Sequence, residues 1–443
     1  VHNPSAGGRW YYAVVSCREG VQNTVDFSAA NSLEQPVTES VGVGEPVLQG
    51  KGLWGPFFDY PGTRWVYVQW CAPPLAPQPN MYFNYSVLIP PNISAKVPME
   101  LYFHPQGYSY AQPGKKLLRD SIQIAPHDYP PSGWYGFNDA TGTLQSLASG
   151  TVRNHTQQRI VAFCQWAQRN LPVDPQRVIA VGSDGAALLA LNYPQMFAMV
   201  WITGFDKQGE AAGPEQVRKL AEAWGPCSDM LRDDRGRNNW QWAELDKLVL
   251  GAEHDLPLFC CRGPSWRKIE GYGKGQGRFY AAMLQARQPL QAGWGWEAAR
   301  NLGPMDWYTG AWRGMILRND SPIMAISNAS NDVDRESSGL AGGGAWWKDL
   351  QDAPKQFAVT LVFPSDCTFD LTPRRLQHFR PKPKEVLSYR ATTLADQAGG
   401  SPQEDQSGRV VVDEHGKFTI TGLRYVRRSA GLKIVVGKSQ GFE

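Results

Sequence analysis

Ser183 and Asp184 are the residues of this chain best placed to do chemistry, because they stand together in a turn of small residues, 182–185. An apolar run of strand length, 178–181, precedes the turn, and an apolar helical run that ends at 192–194 follows it. A strand, a sharp turn and a helix form the unit that holds a nucleophile at a strained tip. A serine hydroxyl or an aspartate carboxylate can form a covalent ester intermediate there.

The segments on both sides of this turn carry a resemblance to a known superfamily. Residues 173–178 (Val-Asp-Pro-Gln-Arg-Val) and 193–198 (Tyr-Pro-Gln-Met-Phe-Ala) resemble secreted esterases and peptidases of the α/β-hydrolase superfamily, including prolyl-oligopeptidase-like enzymes. The resemblance covers roughly residues 80–310. It implies a nucleophile at the turn, followed along the chain by an acid and then a histidine.

The register of the turn can be assigned in two ways. In the superfamily a serine stands two residues after the first glycine of the turn, and counting from Gly182 gives Asp184. One register earlier, Ser183 takes that place and Gly185 follows in a small position, but Val181 then stands where a glycine is preferred. We favour Asp184 at the tip, which implies a degenerate nucleophile turn.

The resemblance places the other two triad members downstream. The segment 255–263 is typical of a buried late strand, after which the family has an aspartate, but the loop 264–268 contains no carboxylate and the next one is Glu270. Many relatives have a Gly-His pair where this chain has Gly293 and Trp294. An indole cannot carry a proton between groups, so Trp294 marks a degenerate histidine position.

A general base has to titrate near the working pH, which makes histidine the usual choice. The chain has seven histidines: His2, His104, His127, His155, His254, His378 and His415. His127 and His155 come before the turn, and we interpret His254 as a turn residue before a strand. An aspartate nucleophile at position 184 would still need a histidine to activate water.

The segment that begins at Met99 resembles the strand and His-x-x-Gly turn that supply backbone donors to an oxyanion hole. His104, Gly107 and Tyr108 are the candidate residues. The alternative is that Gly107 permits a tight turn after a core strand and that His104 hydrogen-bonds to neighbouring backbone.

Three acidic residues alternate in a polar, glycine-rich loop: Asp332, Asp334 and Glu336. They could bind calcium through oxygen atoms. The spacing of an EF-hand is missing, and a solvated loop is the alternative.

The seven cysteines have no metal-ligand spacing, so we expect no zinc. Cys164 and the pair Cys260-Cys261 are expected to be buried free thiols. We expect no cofactor, with calcium at the loop that carries Asp332 as the one alternative.

The net charge is +3 at pH 7, and acidic and basic residues are interspersed, which argues against nucleic acid as a partner. No apolar run reaches the roughly 18 to 20 residues of a membrane span. The chain begins with valine inside a strand-like run, which suggests processing or a part of a longer product. Its 17 tryptophans lie largely among Gly, Pro and Tyr, and we expect a secreted or cell-surface protein.

The pattern of elements predicts several domains. Residues 1–45 are similar to the end of a fibronectin type III domain, and 46–80 form an aromatic, Gly- and Pro-rich linker. Residues 81–345 alternate between helix and strand, which predicts a doubly wound, mainly parallel α/β-hydrolase sheet. Residues 346–443 contain short strands separated by turns and predict a C-terminal β-sandwich.

Two hypotheses follow. The first is a non-catalytic protein with a degenerate triad that serves as a structural or binding unit, its partners being itself, other cell-surface proteins or glycans. The second is an active ester hydrolase that uses Ser183 or Asp184 beside an oxyanion hole near His104 and Gly107. A fold alone does not decide between them.

Overall fold

The computed structural model describes residues 7–39, 43–52, 62–105, 107–112, 116–202, 214–229, 231–242, 244–263, 276–295, 297, 317–395, 406–427 and 429–438. The strands are β1 (Gly8–Trp10), β2 (Cys17–Arg18), β3 (Val21–Gln22), β4 (Val37–Glu39), β5 (Val47–Lys51), β6 (Thr63–Cys71), β7 (Met81–Ile89), β8 (Val97–Phe103), β9 (Ile122–Pro126), β10 (Phe137–Asn138), β11 (Val152–Arg153), β12 (Val173–Gly182), β13 (Met199–Ile202), β14 (Leu258–Gly263), β15 (Leu290–Trp294), β16 (Ile323–Ser327), β17 (Gly339–Ala341), β18 (Trp346–Ala353), β19 (Gln356–Val362), β20 (Cys367–Arg374), β21 (Val386–Leu394), β22 (Gln406–Val411), β23 (Ile420–Tyr425) and β24 (Gly431–Lys438). The α-helices are α1 (His155–Asn170), α2 (Asp184–Asn192), α3 (Pro214–Trp224), α4 (Asn239–Trp242), α5 (Leu245–Leu250) and α6 (Gln276–Gln285).

A ten-stranded sheet of order β17-β15-β14-β13-β12-β8-β9-β7-β6-β5 forms the centre of the molecule. Its middle is parallel, from β9 through β8, β12, β13 and β14 to β15. Parallel neighbours need crossover connections, and α1 precedes β12 while α2 follows it, as the alternation in the sequence predicts. The predicted α/β fold class is confirmed.

The two faces of this sheet are covered by different material. On one face Val178 and Ala180 of β12 belong to an apolar cluster with residues of α1, α2 and α6, such as Phe163. On the other face Ile179 and Val181 belong to a cluster with residues of the C-terminal strands, such as Phe357. Because side chains alternate along a strand, one apolar run supplies both cores.

The C-terminal strands form two antiparallel sheets, β16-β20-β23 and β18-β19-β24-β21-β22, whose apolar residues lie in one cluster. This all-β region agrees with the predicted β-sandwich. The predicted boundary at residue 345 does not separate two cores, because β16 pairs with β20 and residues of β12 to β14 share the cluster of the C-terminal strands. Arg374 also pairs with Asp255 at 2.7 Å across the join.

Within the segment 46–80, predicted as a linker, β5 and β6 are strands of the central sheet. The Gly- and Pro-rich composition around them hides the short apolar alternation that buries Val66 and Cys71. In residues 7–39, β1 pairs with β4 and β2 with β3. The fibronectin-like origin of this segment stays a prediction.

No helix in the described part of the chain is long and apolar enough to cross a bilayer. All seven cysteines are free, and Cys164, Cys260 and Cys261 are buried. The expectation of buried thiols at these three positions is confirmed.

Candidate functional site

In the turn after β12, neither candidate nucleophile, Ser183 or Asp184, has a strained backbone conformation. Gly182 has φ +132, and a Cβ there would collide with the carbonyl oxygen of Phe103 on the neighbouring strand. Ser183 precedes helix α2 with φ −99, and Asp184 is its first residue. Among the described residues the left-handed conformation at this turn falls on the glycine alone, whereas a nucleophile turn puts the strain on the reactive residue.

Gly185 is small because an indole lies against the first turn of α2. A Cβ at Gly185 would collide with the Trp134 ring, which makes edge contacts with Phe103 at 4.9 Å and with His104 at 4.8 Å between ring centroids. The small residues at 182 and 185 are therefore explained by close packing.

A cavity of about 310 Å³, here named the elbow cavity, opens at the carboxyl end of β12. It is lined by His104, Gly107, Tyr108, His127, Asp128, Tyr129, Pro131, Gly133, Trp134, Ser183, Asp184, Lys219 and Leu220. The structure thus brings together five residues that the sequence selected in two distant motifs: His104, Gly107, Tyr108, Ser183 and Asp184. Ligand sites in open α/β sheets lie outside the carboxyl ends of strands.

His104 is held by backbone on both sides of its ring. Its Nδ1 donates to the Pro105 carbonyl oxygen at 2.9 Å, and its Nε2 accepts from the Asp128 backbone N–H at 3.3 Å. Burial lowers the pKa of His104, so the ring is neutral at pH 7. With both nitrogens engaged, His104 has no free acceptor for a proton from a nucleophile.

His127 is the imidazole that sequence reasoning did not select. It follows β9 directly and lines the elbow cavity, stacked on Tyr129 with 5.6 Å between ring centroids. Burial first, then His104 and Arg159, lowers the pKa of His127 to about 4. In the described part of the chain its ring nitrogens have no hydrogen-bond partner. Its place at the carboxyl end of a buried parallel strand is the signal that could have identified it.

The loop from His127 to Trp134 forms one wall of the cavity and is fixed by Asp128. The Asp128 carboxylate accepts from the backbone N–H of Ser132 at 3.0 Å and of Trp134 at 3.2 Å, and from the Ser132 hydroxyl. Trp134 adopts φ +61, which is strained for a bulky residue. Strain that is held by a hydrogen-bond network is typical of functional sites.

A buried arginine supports this loop from behind. Arg159 donates to the His127 carbonyl oxygen at 2.8 Å and to the Thr156 hydroxyl at 2.6 Å, and Thr156 in turn bonds the Ser132 hydroxyl at 2.7 Å. Its guanidinium lies 3.7 Å from the centre of the Phe83 ring. The network fixes the backbone that carries His127 into the cavity.

Asp184 is 2% exposed and lies in the first turn of α2. The positive end of a helix dipole stabilises a carboxylate at this position. Lys219 lines the same cavity and forms an ion pair with Glu215 at 3.4 Å. No hydrogen bond joins the Ser183 hydroxyl to an imidazole among the described residues.

Of the two positions expected to carry the acid and the histidine, the structure describes only the second. Residues 264–275, including the loop 264–268 and Glu270, lie outside the described residues. Trp294 ends β15, is 1% exposed, stacks on Tyr280 with 5.6 Å between centroids and donates its indole N–H to the Arg335 carbonyl oxygen at 2.8 Å. It does not line the elbow cavity.

The possible calcium ligands do not converge. The Asp332 carboxylate accepts from the backbone N–H groups of Gly343 at 2.7 Å and Gly342 at 3.3 Å, and burial raises the pKa of Asp332 to about 7. Asp334 and Glu336 are exposed. In the part of the chain that the structure describes, no three acidic, histidine or cysteine side chains could hold a metal ion, so the structure gives no support to calcium.

No protein-family model and no curated protein matches this chain. Solved structures that are similar include an S-formylglutathione hydrolase from Agrobacterium tumefaciens, at 15% identity and a TM-score of 0.41, which covers 56% of this chain and 90% of that chain. A putative dipeptidyl aminopeptidase IV from Bacteroides ovatus shares 13% identity, a TM-score of 0.35, and covers 52% of this chain and 32% of that chain. An esterase from Pseudomonas putida has 14% identity and a TM-score of 0.32, and the match covers 53% of this chain and 73% of that chain.

The central sheet is a mixed sheet with a parallel middle. Each of these likenesses has a TM-score below 0.5, and what this chain does depends on its own residues at the elbow cavity.

Proposed function

We propose that this chain is a non-catalytic protein of the α/β-hydrolase fold that uses the elbow cavity as a binding site. The observation that carries the proposal is the carboxylate of Asp184 at the start of α2, beside a serine with no hydrogen-bonded imidazole. A serine nucleophile needs a base in hydrogen-bond contact and a strained turn that exposes it.

The position of Asp184 also opposes acyl transfer. Hydrolysis of an ester develops negative charge on the carbonyl oxygen, and the start of the helix after the turn stabilises that charge. In this chain the same helix end already carries a buried carboxylate. A second negative charge beside Asp184 would be disfavoured by Coulomb repulsion.

Neither His104 nor position 294 supplies the imidazole that hydrolysis needs. His104 is committed to the Pro105 carbonyl and the Asp128 N–H. The end of β15 carries Trp294, whose N–H is committed to Arg335. Loss of the chemistry costs the sheet little, because its stability comes from the apolar residues of β12 to β15.

Hydrolysis of short-chain p-nitrophenyl esters by the purified protein tests this proposal, beside Ser183→Ala and Asp184→Ala variants of matched stability. The expected result is no turnover above buffer in any of the three. Turnover that one variant alone abolishes would identify the nucleophile and refute the proposal.

The alternative function is ester hydrolysis by Ser183 with His127 as an unusual base. It is favoured by one observation: both side chains line the same cavity, and His127 has no protein partner for its ring nitrogens among the described residues. Under this alternative, the His127→Gln variant would lose the turnover of the native protein, with a pH profile that reports the pKa of His127.

We also propose that the protein is secreted or at the cell surface and meets glycans, other surface proteins or its own copies there. The support is compositional: abundant tryptophan and five Asn-x-Ser/Thr triplets, at Asn84, Asn92, Asn154, Asn319 and Asn328. Fractionation of the native source tests localisation, and recovery of the protein only from the cytosol would contradict it. A monodisperse monomer in light scattering at high concentration would contradict homotypic assembly.

A further inference from the structure

We propose that the elbow cavity binds a neutral sugar ring and that a second, adjoining cavity takes the next unit of an oligosaccharide. This inference rests on the proposed non-catalytic binding function and specifies its ligand. Four features of the cleft support it: the charges around the elbow cavity, its accessible hydrogen-bonding groups, the aromatic rings at its mouth and the length of the cleft.

The charges around the cavity disfavour a charged ligand of either sign. Asp128 and Asp184 line it, so an anion would meet two carboxylates. Lys219 lines it too, and the buried guanidinium of Arg159 lies behind the His127 carbonyl, so a cation would meet positive charge. A neutral ligand meets neither penalty.

Three polar groups of the cavity have no hydrogen-bond partner among the described residues. They are the ring nitrogens of His127, the indole N–H of Trp134 and the hydroxyl of Ser183. A ligand in the cavity can hydrogen-bond to these groups in place of water. A neutral imidazole offers one donor and one acceptor, and a hydroxyl offers both. Sugar hydroxyls, which donate and accept, match this mixture.

Aromatic faces stand at the mouth of the cavity. Tyr108 is 53% and Tyr129 is 65% exposed, and the Tyr129 ring is held by stacking on His127 at an interplanar angle of 15°. Rigid aromatic rings supply apolar contact area at a small entropic cost, and their hydroxyls remain available. The apolar C–H face of a sugar ring fits such a surface.

The cleft is longer than one ring. A second cavity of about 340 Å³ shares Pro131 and Lys219 with the elbow cavity and is also lined by Phe137 and Thr141. Each cavity alone lies at the lower end of the range of about 300 to 1,000 Å³ for ligand pockets. Because two lining residues are shared, a linear ligand can run from one cavity into the other past Lys219.

Isothermal titration calorimetry of the native protein with cellotriose, xylotriose and chitotriose tests the proposal, with trigalacturonate as the anionic probe and tetramethylammonium as the cationic probe. We expect saturable binding of at least one neutral trisaccharide, weaker binding of its monosaccharide, and weaker binding of both charged probes. Tyr129→Ala and His127→Gln are each expected to weaken the trisaccharide by about tenfold or more. Tyr11→Ala, which removes a 67% exposed tyrosine elsewhere, is the matched control and should change nothing.

Three results would overturn the sugar site: no binding of any neutral trisaccharide up to about 10 mM, tighter binding of a charged probe, or neutral binding that Tyr129→Ala and His127→Gln leave intact. Ester turnover, measured on the same protein, tests the proposed non-catalytic function separately from the sugar site. Ester turnover together with sugar binding would refute the non-catalytic function and retain the sugar site, whereas neither turnover nor binding would refute the sugar site alone.

Discussion

The carboxyl ends of β12 and β15 belong to one sheet and are three strand positions apart, yet they are built in opposite ways. At the end of β12 a cavity remains open, and imidazole, carboxylate and hydroxyl groups are among the groups that line it. At the end of β15 the indole of Trp294 is buried, stacked and hydrogen-bonded to backbone. The end of β12 leaves polar groups accessible to a ligand, whereas the end of β15 is filled by a packed side chain.

Under the proposed function, this difference separates an end of the sheet that can bind a ligand from an end that stabilises the sheet. The buried tryptophan at the end of β15 adds apolar contact and so stabilises the sheet. The groups around Asp184 add no such packing, because they line an open cavity. Under the proposed function they remain accessible to a ligand.

The largest effect is expected at the packed end, from Trp294→Ala. Removing this fully buried indole leaves a cavity and an unpaired carbonyl at Arg335, which should lower the free energy of unfolding by about 3 to 5 kcal/mol in urea denaturation. Trp10→Ala, at a residue that is 48% exposed, is the control and should change it by less than about 1 kcal/mol. Equal effects of the two variants would contradict the description of the β15 end.

At the open end, Gly182→Ala tests whether the turn depends on close backbone packing. The methyl group would meet the Phe103 carbonyl oxygen at φ +132, so we expect a loss of about 2 to 3 kcal/mol of unfolding free energy. Gly52→Ala is the matched control, since Gly52 also has positive φ, +67, with nothing within 4 Å. If both variants lose the same amount, the approach to Phe103 carries no cost.

Asp332 makes the free energy of unfolding depend on pH. Its pKa is about 7 in the folded protein against the ordinary 3.8 of an aspartate, so between those values the folded state binds more protons and stability falls as pH rises. Asp332→Asn removes this slope and should gain about 3 kcal/mol relative to the native protein between pH 4.5 and 8, measured by urea unfolding. Asp334→Asn, at an exposed carboxylate, should leave the slope in place.

His127, in the elbow cavity, makes the free energy of unfolding depend on pH to a smaller extent and with the opposite sign. Its pKa is lowered to about 4 from the ordinary 6.5, so the unfolded chain binds more protons between these values and stability falls as pH falls. His127→Gln should therefore be less sensitive to acid than the native protein, by about 1 kcal/mol. Titration of the His127 ring by NMR checks the cause directly, and an ordinary pKa near 6.5 would contradict it.

The sequence predicted the fold class and the position of the turn because both depend on local patterns: an apolar strand, small residues and a helix. It also selected His104, Gly107 and Tyr108, which the fold brings to the same cavity as Asp184. It missed His127, because the place of this residue depends on strand order and on a loop held by Asp128. It took β5 and β6 for a linker, since their Gly- and Pro-rich surroundings obscure short strands at the edge of a sheet.

The most direct test of the central claim is the turnover of short-chain p-nitrophenyl esters by the native protein and by Asp184→Ser, measured side by side. The variant restores a serine at the tip, but neither His104 nor the end of β15 offers a base. We predict no turnover above buffer for either protein. Turnover by the native protein, or turnover by the variant that a further His127→Gln substitution abolishes, would show that the catalytic machinery is still present and contradict the account.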